Sequence, residues 1–194
     1  MKYLHFFEDF LLENTRSVYS KLANNPSLST FLGFLLHGKS HVMDNQGASR
    51  EMDAILSMVK NEKYNKPLYR GLYIEKAEDF IEGENYVFNR YQSFSQNIKI
   101  AEEFTQNNII LQANTSIGGF NYGGYLINYY ENLKYNDPMM YVIEDGDSII
   151  DSAKEESEWI FPRGTKFQVE KKVQKGKLLI IQGKIVKSSY WTQD

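Results

Sequence analysis

Cysteine is absent from this chain of 194 residues. Its absence excludes disulfide bridges, thiolate zinc sites and a cysteine nucleophile. No apolar run approaches the ~20 residues that a membrane-spanning helix needs, so we expect no membrane partner. A short apolar run near the start is interrupted by Glu8 and Asp9, which is not typical of a signal peptide. These features favour a soluble protein of a reducing, intracellular compartment.

A large excess of charge is also missing, since the formal net charge is −3. The overall balance therefore does not call for a nucleic-acid partner. Charge is nevertheless unevenly spread, with seven acidic residues and one lysine from Glu144 to Glu158, and six lysines and one acid from Glu170 to Lys187. The acidic stretch fits either a cationic target or a solvated loop. The lysine-rich stretch fits a solvated face or an anionic partner.

Histidine is scarce, and only His37 and His41 have the four-residue spacing of metal ligands on a helix. Gly38 lies between them, and no third ligand is apparent in the sequence. We therefore predict that the protein binds no metal.

Hydrophobic periodicity changes near Pro67. Residues 3 to about 66 carry apolar side chains at helix spacing, which predicts helices. From Pro67 onward, short apolar runs alternate with polar turns, which predicts a short helix at 99–105 and strands at 68–74, 86–95, 109–113, 140–143 and 177–186. Helices followed by strands indicate one α+β domain spanning 1–194, with a helical part at 1–66 and a β-rich core at 67–190.

Residues 116–130 combine four glycines with several aromatic side chains. They lack both the GxGxxG pattern and the lysine of a phosphate-binding loop. We predict a mobile or irregular loop there, without a phosphate-binding role.

The stretch of residues 156–169 is predicted to form a strand, a tight turn and a second strand, after an acidic loop at 144–155. Its Trp-Ile-Phe run favours a strand, and the Pro-Arg-Gly that follows favours a turn. Side chains alternate along a strand, so Glu156 and Glu158 would share one face, roughly 6.5–7 Å apart. Two carboxylates so placed are either charges on a solvated edge strand or a pair with a chemical task.

Arg70 lies in the middle of an apolar strand, between Tyr69 and Gly71. A buried guanidinium needs a partner because it does not lose its charge. That partner is either Glu156 or another acid of the core, or a phosphate or carboxylate of a ligand. Gly71 would then allow the ligand to approach the backbone closely.

Ser93 and Ser95 are predicted to share one face at the end of a strand. Their hydroxyls either cap the following helix or face a site. Phe104 ends that helix, where an aromatic side chain is either part of the core or available to a ligand.

Several features follow one another along the chain: Arg70, Ser93-Phe94-Ser95, Ala101 with Phe104, and Glu156-x-Glu158 in front of Trp-Ile-Phe-Pro-Arg-Gly-Thr. In this order and spacing they resemble the arginine–serine–glutamate class of mono-ADP-ribosyltransferases, over about residues 65–185. The compact chain and the tryptophan after the second glutamate look most like the Mod-type enzymes of tailed bacteriophages. The bulky Phe94 and the segment 116–130 depart from the family pattern.

The resemblance implies an α+β fold, in which an ADP-ribosyltransferase-like core of two packed, mostly antiparallel sheets lies beside an N-terminal helical subdomain. It also implies NAD as a substrate. Departure of nicotinamide from NAD leaves an oxocarbenium-like ribose, which Glu158 would stabilise while bonding the ribose 2′-OH. Glu156 would orient an acceptor arginine and accept its proton, because a guanidinium with a pKa above ~12 is a poor nucleophile.

By the same resemblance, Arg70 would hold a phosphate of NAD and the Gly71 backbone would meet the nicotinamide amide. Phe104 would stack on the nicotinamide ring. Ser93 would position the glutamate and ribose end of the site, with Ser95 as a second supporting residue.

The implied acceptors are arginines of host bacterial proteins in the host cytoplasm, with the transcription and translation machinery as candidates. The resemblance leaves open whether an RNA with a 5′ NAD cap can replace free NAD. The alternatives are an NAD glycohydrolase that uses the same residues and an inactive module that binds NAD or a host protein. A retaining glycosidase fits poorly, because it needs carboxylates about 5–5.5 Å apart on opposite sides of a sugar.

Overall fold

The protein is described here by a computed structural model, which covers residues 53, 56, 57, 61–73, 75–125, 127 and 146–188, with the backbone alone at 146–150. The chain divides into two compact units, Met1–Val59 and Lys60–Asp194. In the first unit, the three described residues are helical. The other helices predicted before residue 60 and the strand predicted at 140–143 lie outside the described residues. The predicted division of one domain at residues 66 and 67 stays a prediction.

The second unit contains the strands and the helices that position the site. The strands are β1 (Leu68–Gly71), β2 (Asn85–Val87), β3 (Gln92–Ser95), β4 (Ile109–Thr115), β5 (Phe120–Asn121), β6 (Glu158–Phe161), β7 (Lys166–Lys175) and β8 (Leu178–Lys187). The α-helices with defined bounds are α1 (Ile98–Glu103) and α2 (Gly146–Glu156), and a 3-10 turn spans Ala77–Asp79. Residues 122–125 and 127 are also helical. Across the described residues, no helix combines the length and the apolar character needed to cross a membrane.

The eight strands form one hydrogen-bonded ladder in the order β2-β7-β8-β4-β1-β3-β6-β5. Every pairing is antiparallel except that of β4 with β8. The second unit thus contains a mostly antiparallel sheet together with a few helices, and the predicted α+β class is confirmed.

The ladder bends so that its two ends face each other. β2 and β3 are five places apart in the strand order, which in a flat sheet would separate them by about 24 Å. Yet the ring of Phe88, directly after β2, lies 6.4 Å from that of Phe94 in β3. Aromatic side chains fill the space between the two halves: Phe80, Tyr86, Phe88, Phe94, Phe161 and Phe167.

Phe94, which departs from the family pattern, belongs to this aromatic core. Its side chain is fully buried, and its ring meets Phe161 edge-on with 5.4 Å between the centroids. Because neighbouring side chains point to opposite faces of a strand, Phe94 faces the core while Ser93 and Ser95 face the other side of β3. The bulky residue thus anchors the strand that carries the two serines.

The strand predicted at 86–95 is two strands in the structure. β2 pairs with β7 and β3 pairs with β6, so the two serve opposite halves of the bent ladder. Between them the backbone of Phe88 bonds to the turn after β6, donating to the Thr165 carbonyl at 3.0 Å and accepting from the Gly164 N–H at 2.8 Å. These bonds hold the segment through which the chain passes from β2 to β3, that is, from one half of the ladder to the other. The apolar run in the sequence does not reveal that the strand is interrupted there.

Two further predictions fail in the described segments. Residues 61–66 are not helical, because Glu62 forms a β-bridge with Gly119 and a following proline disfavours helix at residue 66. The segment predicted to be an irregular loop contains β5, which pairs with β6. Gly119 makes this pairing possible, since a Cβ there would lie 2.7 Å from Cζ of Phe161 and 3.1 Å from Cε3 of Trp159.

Candidate active site

The two glutamates lie on either side of a junction between α2 and β6. Glu156 is the last residue of α2 and Glu158 is the first of β6. Between them Ser157 has a φ of 43°, a left-handed conformation that is uncommon outside glycine. The predicted strand, turn and second strand are present, but the first strand begins at Glu158 and not at Glu156. The prediction that the two glutamates share one face of a strand is therefore wrong, as is the acidic loop predicted before them, because residues 146–156 form a helix.

Glu158 is buried, with 7% of its surface exposed. Its backbone pairs with Ser95 across β3 and β6, which places the side chains of Ser93, Ser95 and Glu158 on one face. The Ser93 hydroxyl donates a hydrogen bond to the Glu158 carboxylate at Oε1. The first serine of the tripeptide thus orients this carboxylate directly.

Arg70 reaches the same point through a gap between β1 and β3. The two strands pair only at Tyr69 and Ser95, and Arg70 Nη1 donates to the Ser93 carbonyl at 2.9 Å. Arg70 Nε is buried and has no hydrogen-bond partner among the described residues. Ser93 therefore links the guanidinium, through its carbonyl, to Glu158, through its hydroxyl.

Burial and neighbouring charges perturb both ionisable groups. Burial raises the pKa of Glu158 well above its usual value, the Glu156 carboxylate raises this pKa further, and Arg70 opposes both. Burial lowers the pKa of Arg70, while Glu75 and then Glu158 counteract that effect. The guanidinium stays charged at neutral pH, so the site holds a fixed cation beside a carboxyl group that retains its proton unusually well.

The raised pKa of Glu158 predicts a pH-dependent effect of Glu158→Gln on stability. The folded state keeps this proton to a higher pH than the unfolded state, so the stability from this group is complete below the ordinary glutamate pKa and is lost as pH rises through the raised pKa. Glutamine has the same shape and no ionisation. We expect the melting temperature of the variant to exceed that of the wild type increasingly from pH 4 to pH 8, at about 2–4 °C per kcal/mol.

Melting curves across this pH range test the expectation. Glu155→Gln is the matched control, because Glu155 is an exposed glutamate near the same junction. A difference between Glu158→Gln and the wild type that stays constant with pH would show that Glu158 ionises as freely when folded as when unfolded.

Gly71 and Phe104 lie where α1 packs against β1. A Cβ on Gly71 would come within 2.2 Å of the Ala101 carbonyl oxygen and 2.8 Å of the Thr105 amide nitrogen. Glycine at position 71 therefore allows α1 to pack closely against β1. The prediction that the missing side chain makes room for a ligand is wrong on the face of β1 that α1 covers. The Leu72 N–H donates to the carbonyl of Ile109, on the β4 side. Because hydrogen-bonded and non-hydrogen-bonded pairs alternate along antiparallel strands, the N–H and C=O of Gly71 point away from β4, toward the gap beside β3.

Phe104 caps the C-terminus of α1 and is 39% exposed. The core alternative considered for this residue is therefore wrong. The backbone of Phe104 lies next to Gly71, because a Cβ on that glycine would come within 2.9 Å of the Phe104 carbonyl carbon.

Ser95 has different contacts from Ser93. Its hydroxyl donates to the carbonyl of Glu156 at 2.5 Å and accepts the Asn97 N–H at 2.9 Å. The helix cap of α1 is Asn97, whose Oδ1 accepts from the Lys99 amide at 3.1 Å. The structure thus brings Ser95 to the backbone of the junction, and neither serine caps α1.

Gly123 is a residue of the site region that sequence reasoning missed. A Cβ on it would lie 2.8 Å from the Glu158 amide nitrogen and 3.0 Å from the Ala153 carbonyl oxygen. The paired glycines at 123 and 124 were the signal, because glycine allows one backbone to approach another closely.

Candidate metal ligands were also considered. No group of three or more histidine, aspartate or glutamate side chains that could hold a metal occurs in the part of the chain that the structure describes. His37 and His41 lie outside that part.

Solved structures with similar folds belong to bacterial ADP-ribosyltransferases. Exoenzyme S from Pseudomonas aeruginosa, in complex with human 14-3-3 protein beta and carba-NAD, superposes with a TM-score of 0.53 at 14% identity, over 89% of this chain and 73% of that one. The Vis toxin of Vibrio splendidus, an ADP-ribosyltransferase, gives 0.50 at 16% identity, over 93% and 71%. The chain has an ADP-ribosyltransferase fold. No protein-family model matches the sequence, and no curated protein does.

At identities of 14–16% the likeness concerns the fold and not single side chains. The candidate site therefore rests on the contacts of Arg70, Ser93 and Glu158 in this chain.

Proposed function

We propose that the protein is a mono-ADP-ribosyltransferase of the arginine–serine–glutamate class, which moves ADP-ribose from NAD to arginine side chains. The observation that carries the proposal is the chain of contacts in which Ser93 joins Arg70 to Glu158. Those three residues come from three different strands, and nothing in a general α+β fold requires them to meet, so their contact favours a shared chemical role. Two similar folds support the chemistry, since Exoenzyme S was solved with carba-NAD and Vis with agmatine, a small guanidinium compound.

NAD binding is assigned to the gap between β1 and β3. Arg70 is the cation for the pyrophosphate, and its buried Nε offers a donor that no described residue uses. The backbone amide groups of Gly71 suit the carboxamide of nicotinamide, which both donates and accepts hydrogen bonds. The exposed ring of Phe104 suits stacking on the nicotinamide ring.

Cleavage of NAD breaks the bond between the ribose C1′ and the nicotinamide nitrogen, and the bonding electrons leave with nicotinamide. The ribose becomes an oxocarbenium-like cation, which the ionised Glu158 stabilises from a buried position where charges interact strongly. The cationic nicotinamide ring of bound NAD favours this ionised form. The Ser93 hydroxyl keeps the carboxylate oriented.

Transfer then forms a bond between C1′ and a guanidinium nitrogen of the acceptor. Glu156 accepts the proton that this nitrogen loses, which makes it the acceptor-side base. The acidic residues of α2 suit a cationic target. Following the Mod-type resemblance, we assign the acceptors to host bacterial proteins in the host cytoplasm, with the transcription and translation machinery as the first candidates.

Incubation of the protein with NAD labelled in the adenylate part and with a bacterial lysate tests this function. We expect label on proteins, with ADP-ribose mapped to arginine by mass spectrometry, and none with Glu158→Gln. Free ADP-ribose without labelled protein would indicate an NAD glycohydrolase. Intact NAD would indicate a module without catalytic activity. In a parallel incubation with labelled RNA that has a 5′ NAD cap, attachment of that RNA to protein would extend the donor beyond free NAD.

A further inference from the structure

The α2–β6 junction is held by β3 and by the first residues after it. The Ser95 hydroxyl donates to the carbonyl of Glu156 at 2.5 Å. The Gln96 amide donates to the carbonyl of Ser157 at 3.3 Å. The Asn97 amide donates to the Ser95 hydroxyl at 2.9 Å, which fixes the direction of that hydroxyl. Ser95 and Gln96 thus hold the junction from one side, and Asn97 orients the hydroxyl of Ser95.

The other side of the junction is held by Gly123. The position of its missing Cβ is 2.8 Å from the Glu158 nitrogen, 3.0 Å from the Ala153 oxygen and 3.3 Å from the Ser157 carbonyl carbon. The backbone of the segment before α2 therefore touches the junction without an intervening side chain. The backbone of Ser157, with its φ of 43°, contacts both of these segments.

The two serines of β3 consequently act on different glutamates. Ser93 bonds to the side chain of Glu158, and Ser95 bonds to the backbone of Glu156. We propose that Ser95 is a positioning residue for the acceptor step, which sets where the Glu156 carboxylate meets the incoming arginine. The inference rests on the proposed function and adds to it a residue that selects arginine transfer over hydrolysis.

The selectivity follows from how each glutamate is held. Glu158 belongs to β6, which has four backbone pairs with β3 and a separate bond from Ser93. Glu156 ends a helix, where the last carbonyl groups lack partners within the helix and need others. Without the Ser95 hydroxyl, the Glu156 carbonyl and the Asn97 amide lose a shared partner, so the helix end is held less firmly while β6 keeps its register.

Ser95→Ala, compared with the wild type, tests the proposal through two rates: NAD hydrolysis without acceptor and transfer to agmatine. We expect the ratio of transfer to hydrolysis to fall at least about tenfold, as for the loss of one buried hydrogen bond. Ser95→Thr, which keeps the hydroxyl, should restore the ratio. Ser93→Ala should lower both rates together. A parallel loss of both rates in Ser95→Ala, or a threonine variant as selective as the alanine variant, would overturn the proposal.

Hydrogen exchange supplies a readout that needs no activity. In Ser95→Ala, amides of residues 153–157 should exchange faster, while those of β6 keep their protection. Unchanged exchange at the junction would overturn the positioning role. A wild-type protein that neither hydrolyses NAD nor modifies agmatine would refute the proposed function, and the exchange experiment would still decide what Ser95 holds.

Discussion

Glu158→Gln is expected to abolish both NAD hydrolysis and arginine transfer, by at least about a thousandfold. The glutamine amide occupies the same space and can still bond to Ser93, but it carries no negative charge for the developing oxocarbenium ion. Both reactions pass through that ion, so both rates should fall by the same factor. Rates of nicotinamide release and of agmatine modification measure the two effects in parallel.

Loss of activity in this variant must be separated from loss of structure. Its melting temperature at neutral pH should be no lower than that of the wild type, since the neutral amide removes a charge that burial disfavours. Glu155→Gln, at an exposed neighbouring position, should keep full nicotinamide release from NAD in the absence of an acceptor. Substantial transfer by Glu158→Gln would remove Glu158 from the centre of the mechanism, and the proposed function with it.

Glu156→Gln is expected to lose arginine transfer by about a hundredfold or more while retaining most NAD hydrolysis. A base that takes a proton in the transition state contributes about 10²–10⁴-fold. Water as the acceptor does not require the same carboxylate, because it need not lose a proton from a guanidinium. The experiment compares agmatine modification with nicotinamide release for the same preparation.

The same variant should also shift the pH dependence of hydrolysis. The Glu156 carboxylate raises the pKa of Glu158, so its removal lowers that pKa and makes the ionised form available at lower pH. The rising limb of kcat/KM against pH should therefore move toward acid. Equal losses of hydrolysis and transfer would argue that Glu156 serves NAD cleavage and not the acceptor.

Individual site residues were predictable where a short pattern carries the chemistry. Arg70 was predictable because a guanidinium in an apolar strand demands a partner, and Ser93 because it shares a strand face with Ser95. Glu158 was expected to share a face with Glu156 in the same way, although Glu156 belongs to α2. The structure brings these three together. Their order along the chain, more than any single residue, carried the family resemblance, and the ADP-ribosyltransferase fold agrees with it.

The junction at Glu156 was not predictable in the same way. A helix that is rich in acidic residues and poor in apolar ones has the same sequence pattern as a solvated loop. The left-handed conformation of Ser157 could not be predicted either, because no glycine occupies that position. The glycine-rich segment was misread for a related reason. Gly119 and Gly123 are required by side chains and backbone 30 to 42 residues further along the chain, and no local pattern contains these distant contacts.

The sequence alone determined which chemical groups are available: a guanidinium at Arg70, hydroxyls at Ser93 and Ser95, and carboxylates at Glu156 and Glu158. Local alternation also placed the two serines on one face of a strand. Only the tertiary structure decided which groups meet. β1 and β3 separate after one residue pair, so Arg70 takes the Ser93 carbonyl. Ser93 and Ser95 reach different glutamates because α2 ends where β6 begins. Such contacts depend on packing between distant segments, and packing is a property of the folded chain as a whole.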